Sequence, residues 1–240
     1  MHFRILGFWR VAAAVLVMMF HFLNYGPESA TEMTERLRAL APLLDMFMMI
    51  SGFLIMFRYV DRLLVEPGSY ARFIWRRLAR FYPLYFLTLV YFVMVGVAVH
   101  MGVIGSTAEG RYDFAALPAN LLLIQGWGFT DTLTFNYVAW TLSAEWFCYL
   151  TFPVVVLTYR RLGVPGLVAL LAVTLAALEI AVAAGIIPFP TWMVADTWGA
   201  YRAFADFAVG ALIAVAVRDS RWRLRGHWVG WGAFAATVAA

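Results

Sequence analysis

FWRVAAAVLVMMFHFLNY (residues 8–25) decides the class of the fold. Its apolar run approaches the ~20 residues that a helix needs to cross a bilayer core. Yet it carries two basic groups, Arg10 and His21, eleven positions apart. A helix turns ~100° per residue, so that spacing returns to within ~20° of the starting direction, and the two groups share one face about 16 Å apart along the axis. Ionisable side chains in spanning helices face the bundle interior and mark a pathway or a site. The plainer alternatives are an arginine that snorkels to the headgroups and a structural histidine.

The rest of the chain extends this reading. Of 240 residues 64% are hydrophobic and 13% charged, against about 25% charged in a soluble domain. The expected fold is all-α: a polytopic transmembrane helix bundle, one domain over 1–240. Spans are expected at 8–25, 43–58, 81–104, 137–158, 166–187 and 199–217, with the start of a seventh near 227. Segment 114–127 is apolar but short and contains Pro118 and Asn120, so it reads as interfacial or re-entrant. The first helix reads as uncleaved, because no small-residue cleavage site follows it. Cys148 is the one cysteine, which excludes an intrachain disulfide framework.

All 18 basic residues are arginine. With the N-terminus in the cytoplasm, fourteen of them fall on the inner side and only Arg36, Arg38, Arg111 and Arg202 on the outer, as the positive-inside rule requires. The net charge of +4 is therefore attributed to loop bias and not to nucleic acid. No His-Glu-x-x-His spacing and no phosphate-cradling glycine loop occurs, so no metal is expected.

Five stretches, taken in order, resemble the acyltransferase 3 family of integral membrane O-acyltransferases. They are Arg10 and His21 with ten residues between them, DMFMMISGFLI (45–55), RRLARFYPLY (76–85), WTLSAEWFCYLTFP (140–153) and YRAFADFAVGALIA (201–214). Thr141 stands where the family usually has serine. The resemblance implies a multi-pass protein of a bacterial inner membrane. It implies that an acyl group, usually acetyl, moves from cytoplasmic acetyl-CoA to a hydroxyl of a polysaccharide, another carbohydrate or a similar acceptor outside. It further implies that the C-terminal spans of the family are missing from this chain. Acyl-CoA is a donor substrate here, and no bound cofactor is expected.

With that resemblance, His21 and Glu145 are the expected catalytic residues, His21 as general base. Arg10, Arg76, Arg77 and Arg80 are expected to bind acyl-CoA, since arginine suits bidentate phosphate contact. For the last three the alternative is attraction to anionic lipid. Asp45, Ser51, Trp140, Ser143 and Arg202 are expected to support the site or line a channel. Asp45 could fix the tautomer of His21 or cap its helix. Ser51 and Gly52 could serve close helix packing. Glu145 could orient His21 or the acceptor, or form a structural ion pair, for example with Arg202. Arg202 could also pair with Asp206, four residues on. Glu179 has no expected partner, and His100 reads as interfacial. Two other functions remain open at this point. One is a transporter or permease, which lacks the expected inverted repeat; the other is a catalytically silent, truncated paralogue.

Overall fold

The computed structural model describes residues 4–23, 31–33, 42–105, 110–194 and 196–219. Among these residues there is no strand. The helices are α1 (Arg4–Leu23), α2 (Pro42–Tyr59), α3 (Ser69–His100), α4 (Leu117–Leu121), α5 (Trp140–Ala183) and α6 (Gly199–Asp219). One 3-10 turn, Phe114–Ala116, precedes α4 and another, Tyr137–Ala139, precedes α5. Three stretches are long and apolar enough to cross a membrane: Ser69–His100, Tyr137–Ala183 and Gly199–Asp219. A shorter apolar helix covers Arg10–Leu23. The expected seventh span near 227 lies outside the described residues.

α5 is one helical element over most of the two stretches expected as spans at 137–158 and 166–187. Its 44 residues would reach about 66 Å if straight, twice a bilayer core. It is not straight: Gly163 leaves the helix at φ 65, ψ −154, a conformation open to glycine alone. The contacts of α6 show which way the chain turns. α6 begins with Gly199 against the Trp140 ring and ends with Asp219 accepting a hydrogen bond from Tyr159 at 3.3 Å. It thus lies along the first half of α5. Residues 184–198 lead from the end of α5 back to the start of α6, so the second half of α5 doubles back from Gly163.

α3 departs from expectation at its start. The span was expected from residue 81; the helix begins at Ser69, takes in Arg72, Arg76, Arg77 and Arg80, and runs through Pro83 without a break. Proline forfeits one backbone bond, but its fixed φ suits a helix, and α3 continues to His100. Its exposed Leu84, Leu87, Tyr91 and Met94 form an apolar face. Segment 114–127 holds the 3-10 turn Phe114–Ala116 and the five-residue α4. Asn120 anchors it, donating to Ala116 O and Thr134 Oγ1 at 2.9 Å each, while its carbonyl accepts from Tyr85 at 2.6 Å.

α6 is the central helix, with over half of its apolar stretch buried. Its small residues explain why. Gly210 sits on the Met49 carbonyl of α2, and Gly52 of α2 sits on the Phe207 carbonyl of α6. A Cβ at either position would overlap the facing backbone. Such small-residue crossings bring helix backbones close enough for dispersion to hold them in lipid, where no hydrophobic force does. Phe73, Phe152 and Phe207 fill the space beside this crossing.

Candidate functional site

Helical stripes from three elements meet at one cavity of about 600 Å³. On α2 the stripe is Ser51, Leu54, Ile55 and Arg58; on α3 it is Arg77, Arg80 and Phe81; on α5 it is Glu145 and Tyr149. Each follows the i, i+3, i+4, i+7 spacing of a single helix face. α1 adds Arg10. Four arginines therefore face one carboxylate. Among the described residues, Arg58, Arg77 and Arg80 have no carboxylate within ion-pair distance. Three other arginines near this end are engaged elsewhere: Arg62 and Arg72 face Glu66 at 3.8 and 3.9 Å, and Arg218 meets Asp61 at 2.8 Å.

Glu145 is the hub of the cavity. Its Oε1 accepts hydrogen bonds from Tyr149 at 2.5 Å and Ser51 at 3.2 Å and lies 4.0 Å from Arg10 Nη2. Arg10 also lies over the Phe47 ring, 5.8 Å from its centroid. Arg77 stands 5.4 Å above the rings of both Phe73 and Tyr149. This stacking aims its guanidinium without using the donors that a phosphate would need.

His21 lies at the other end of α1. Its Nδ1 is 3.3 Å from the Tyr137 hydroxyl. The rings meet edge to face at 5.7 Å, and Arg111 lies 4.9 Å over the far ring, that of Tyr137. α1 thus meets α5 and the turn before it at two levels, Arg10 with Glu145 and His21 with Tyr137. The levels are about 16 Å apart along α1.

Several expected contacts are not formed. Glu145 meets Arg10, and neither His21 nor Arg202. Asp45 does not reach His21: Arg202 Nη2 donates to its Oδ2 at 2.6 Å, and Arg202 also donates to the Met193 carbonyl. The ion pair of Arg202 is thus with Asp45, across helices, and none within 4.0 Å forms with Asp206. Arg76 is exposed and lines no part of the cavity, because one residue of helix rotates it ~100° from Arg77. Ser143 is fully buried; its hydroxyl donates to Leu123 O at 2.8 Å and accepts from Gly126 N at 3.1 Å. Trp140 packs on Gly199. Both therefore latch segment 123–127 and α6 onto α5 and stand apart from the cavity. Glu179 does have a partner, Trp192 Nε1 at 2.7 Å, and His100 packs on Phe114.

Three residues of these two levels, Arg58, Tyr149 and Tyr137, were not among those expected from sequence. Signals for the first two were available, since Arg58 follows Ser51 by seven positions and Tyr149 follows Glu145 by four. Tyr137 carries no such signal, because 116 residues, including α2, α3 and α4, separate it from His21.

Residues 4–240 match the acyltransferase domain of the Acyl_transf_3 family. The chain belongs to this family. Acyltransferase MdmB of Streptomyces mycarofaciens is 32% identical over 122 residues, an alignment that covers 50% of this chain and 29% of that relative. No solved structure matches. In this member of the acyltransferase 3 family, the quoted motifs converge unevenly. Arg10, Ser51, Arg77, Arg80 and Glu145 come together, whereas His21 lies on the same helix at a separate level.

Proposed function

We propose that the chain is a membrane-embedded O-acyltransferase that moves an acyl group, acetyl in the simplest case, from cytoplasmic acyl-CoA to a hydroxyl on a carbohydrate or similar acceptor outside. The observation that carries the reading is the arginine cavity at the foot of α1. Arg58, Arg77 and Arg80 offer guanidinium donors to the phosphates of CoA, and Arg10 extends that charge inward. In this reading the chain crosses the membrane six times within residues 1–219, with its N-terminus in the cytoplasm. Both halves of α5 cross, and the arginine cavity lies at the inner surface.

A pantetheine arm is a slender neutral chain on the order of the ~16 Å between Arg10 and His21, so a donor held at the arginines presents its thioester near His21. His21 removes the proton of the acceptor hydroxyl as its oxygen attacks the thioester carbonyl. The C–S bond breaks, the ester forms, and the thiolate of CoA leaves and takes up a proton. Positioned base catalysis of this kind contributes ~10²–10⁴-fold. Glu145 belongs to the donor end of the path, where it holds Arg10, Ser51 and Tyr149 in register.

The test is transfer of radiolabelled acetyl from acetyl-CoA to an acceptor-bearing membrane fraction by the purified chain in nanodiscs. His21→Gln should abolish transfer and leave CoA affinity within twofold of the parent. A glutamine variant that retains most of the transfer rate would end the base assignment, and a parent protein that neither binds CoA nor transfers acetyl would end the whole reading.

A further inference from the structure

His21 sits on α1, whose outward faces, including Val11, Met18 and Phe22, are exposed. Against it stands Tyr137, and Tyr137 is held by a rigid frame. Phe135, two residues before it, is fully buried with φ 51, a left-handed conformation that is costly for an aromatic residue. The frame holds Phe135 there from three sides. Its N–H donates to Arg111 O at 2.7 Å, its ring packs edge-on to Phe114 at 5.5 Å, and Tyr112 contacts it at 6.3 Å. On either side, Thr134 accepts from Asn120 at 2.9 Å and Asn136 donates to Thr88 at 3.2 Å. The same backbone bond brings Arg111 over the Tyr137 ring at 4.9 Å. Strained backbone persists only where its surroundings over-determine it, and it clusters where a side chain must be aimed.

We propose that Tyr137 is the positioning residue for His21: its hydroxyl engages Nδ1 and leaves Nε2 to face the reacting hydroxyl, with Arg111 fixing the plane of the tyrosine ring. This rests on the acyl-transfer reading for its consequence, but not for its geometry. For Nε2 to accept a proton, Nδ1 must carry one; in the proposed arrangement Nδ1–H donates to the Tyr137 oxygen 3.3 Å away, while the Tyr137 hydroxyl proton points elsewhere. A second group that orients the base is the recurring logic of activated nucleophiles and bases. Tyr137 touches neither donor nor acceptor, so its effect falls on turnover and not on donor binding.

Tyr137→Phe removes the hydroxyl and keeps the ring that Arg111 covers. Two measurements on the full chain in nanodiscs read the result. Nitrogen NMR of ¹⁵N-histidine-labelled protein, with the His21 signals assigned by their loss in His21→Gln, should report one imidazole tautomer in the parent and a mixture in Tyr137→Phe. In the transfer assay, kcat should fall at least tenfold while KM for acetyl-CoA stays within twofold. Tyr137→Phe with an unchanged tautomer and unchanged kcat would overturn the proposal. So would a rise in KM with kcat unchanged, which would put Tyr137 in donor binding. If the parent shows the single tautomer and the variant the mixture, but no acetyl is transferred by either, the positioning geometry stands and the acyl-transfer reading falls.

Discussion

The hub at Glu145 makes a quantitative demand on the pair it forms with Arg10. At 4.0 Å, two unit charges attract by about 4 kcal/mol at an effective dielectric of 20. The side chains are 32% and 18% exposed, so solvent screens part of this, and a coupling of about 1–2 kcal/mol is expected between contacting partners. The perturbation is a double-mutant cycle of Arg10→Met and Glu145→Gln, each shape-conserving, read by thermal unfolding in detergent. For a chain of this size 1 kcal/mol moves Tm by roughly 2–4 °C. The double variant should therefore melt about 2–8 °C above the value expected from adding the two single losses. A parallel cycle of Glu145→Gln with His21→Gln should be additive within about 0.3–0.5 kcal/mol, because the levels are about 16 Å apart. Coupling to His21 with none to Arg10 would refute the reasoning and return Glu145 to the acceptor side.

Arg58→Gln, Arg77→Gln and Arg80→Gln should each weaken CoA binding, measured by isothermal titration, by at least tenfold, since a charge-assisted contact is worth about 1.5–3 kcal/mol. Arg76→Gln should leave it unchanged, and an equal loss at Arg76 would assign the whole cluster to surface charge. Gly210→Ala should prevent recovery of a monodisperse protein, because the new Cβ meets the Met49 carbonyl; a well-folded Ala variant would mean that α2 and α6 do not cross there. Ser143→Ala should cost about 1–3 kcal/mol by leaving the buried Gly126 N–H unpaired and lower Tm while CoA affinity holds. A loss of affinity at unchanged Tm would move Ser143 into the donor path.

One-dimensional pattern was enough for part of this protein. A run such as residues 8–25 can be satisfied only by a helix, since the bilayer offers its backbone no other partner. The stripes on α2, α3 and α5 follow from helix periodicity, which makes Arg58 legible from Ser51 and Tyr149 from Glu145. The same periodicity separates Arg77 from Arg76. Ser51 and Gly52 likewise mark a place of close helix approach, though not the helix that approaches. What sequence leaves undetermined is which stripe faces which. Ion pairing is set by distance across an interface, and that distance depends on how each helix is rotated and shifted against its neighbours. Asp45 lies 157 residues from Arg202 and Ser51 lies 94 from Glu145, so no local rule could pair them. Glu145 was free to match Arg10, His21 or Arg202 until the α2–α6 crossing and the antiparallel run of α1 beside α5 assigned it to Arg10. Tyr137 meets His21 across 116 residues, beside a Phe135 held at φ 51 by Arg111, Tyr112 and Phe114, and contacts of that kind exist only once the chain has closed on itself.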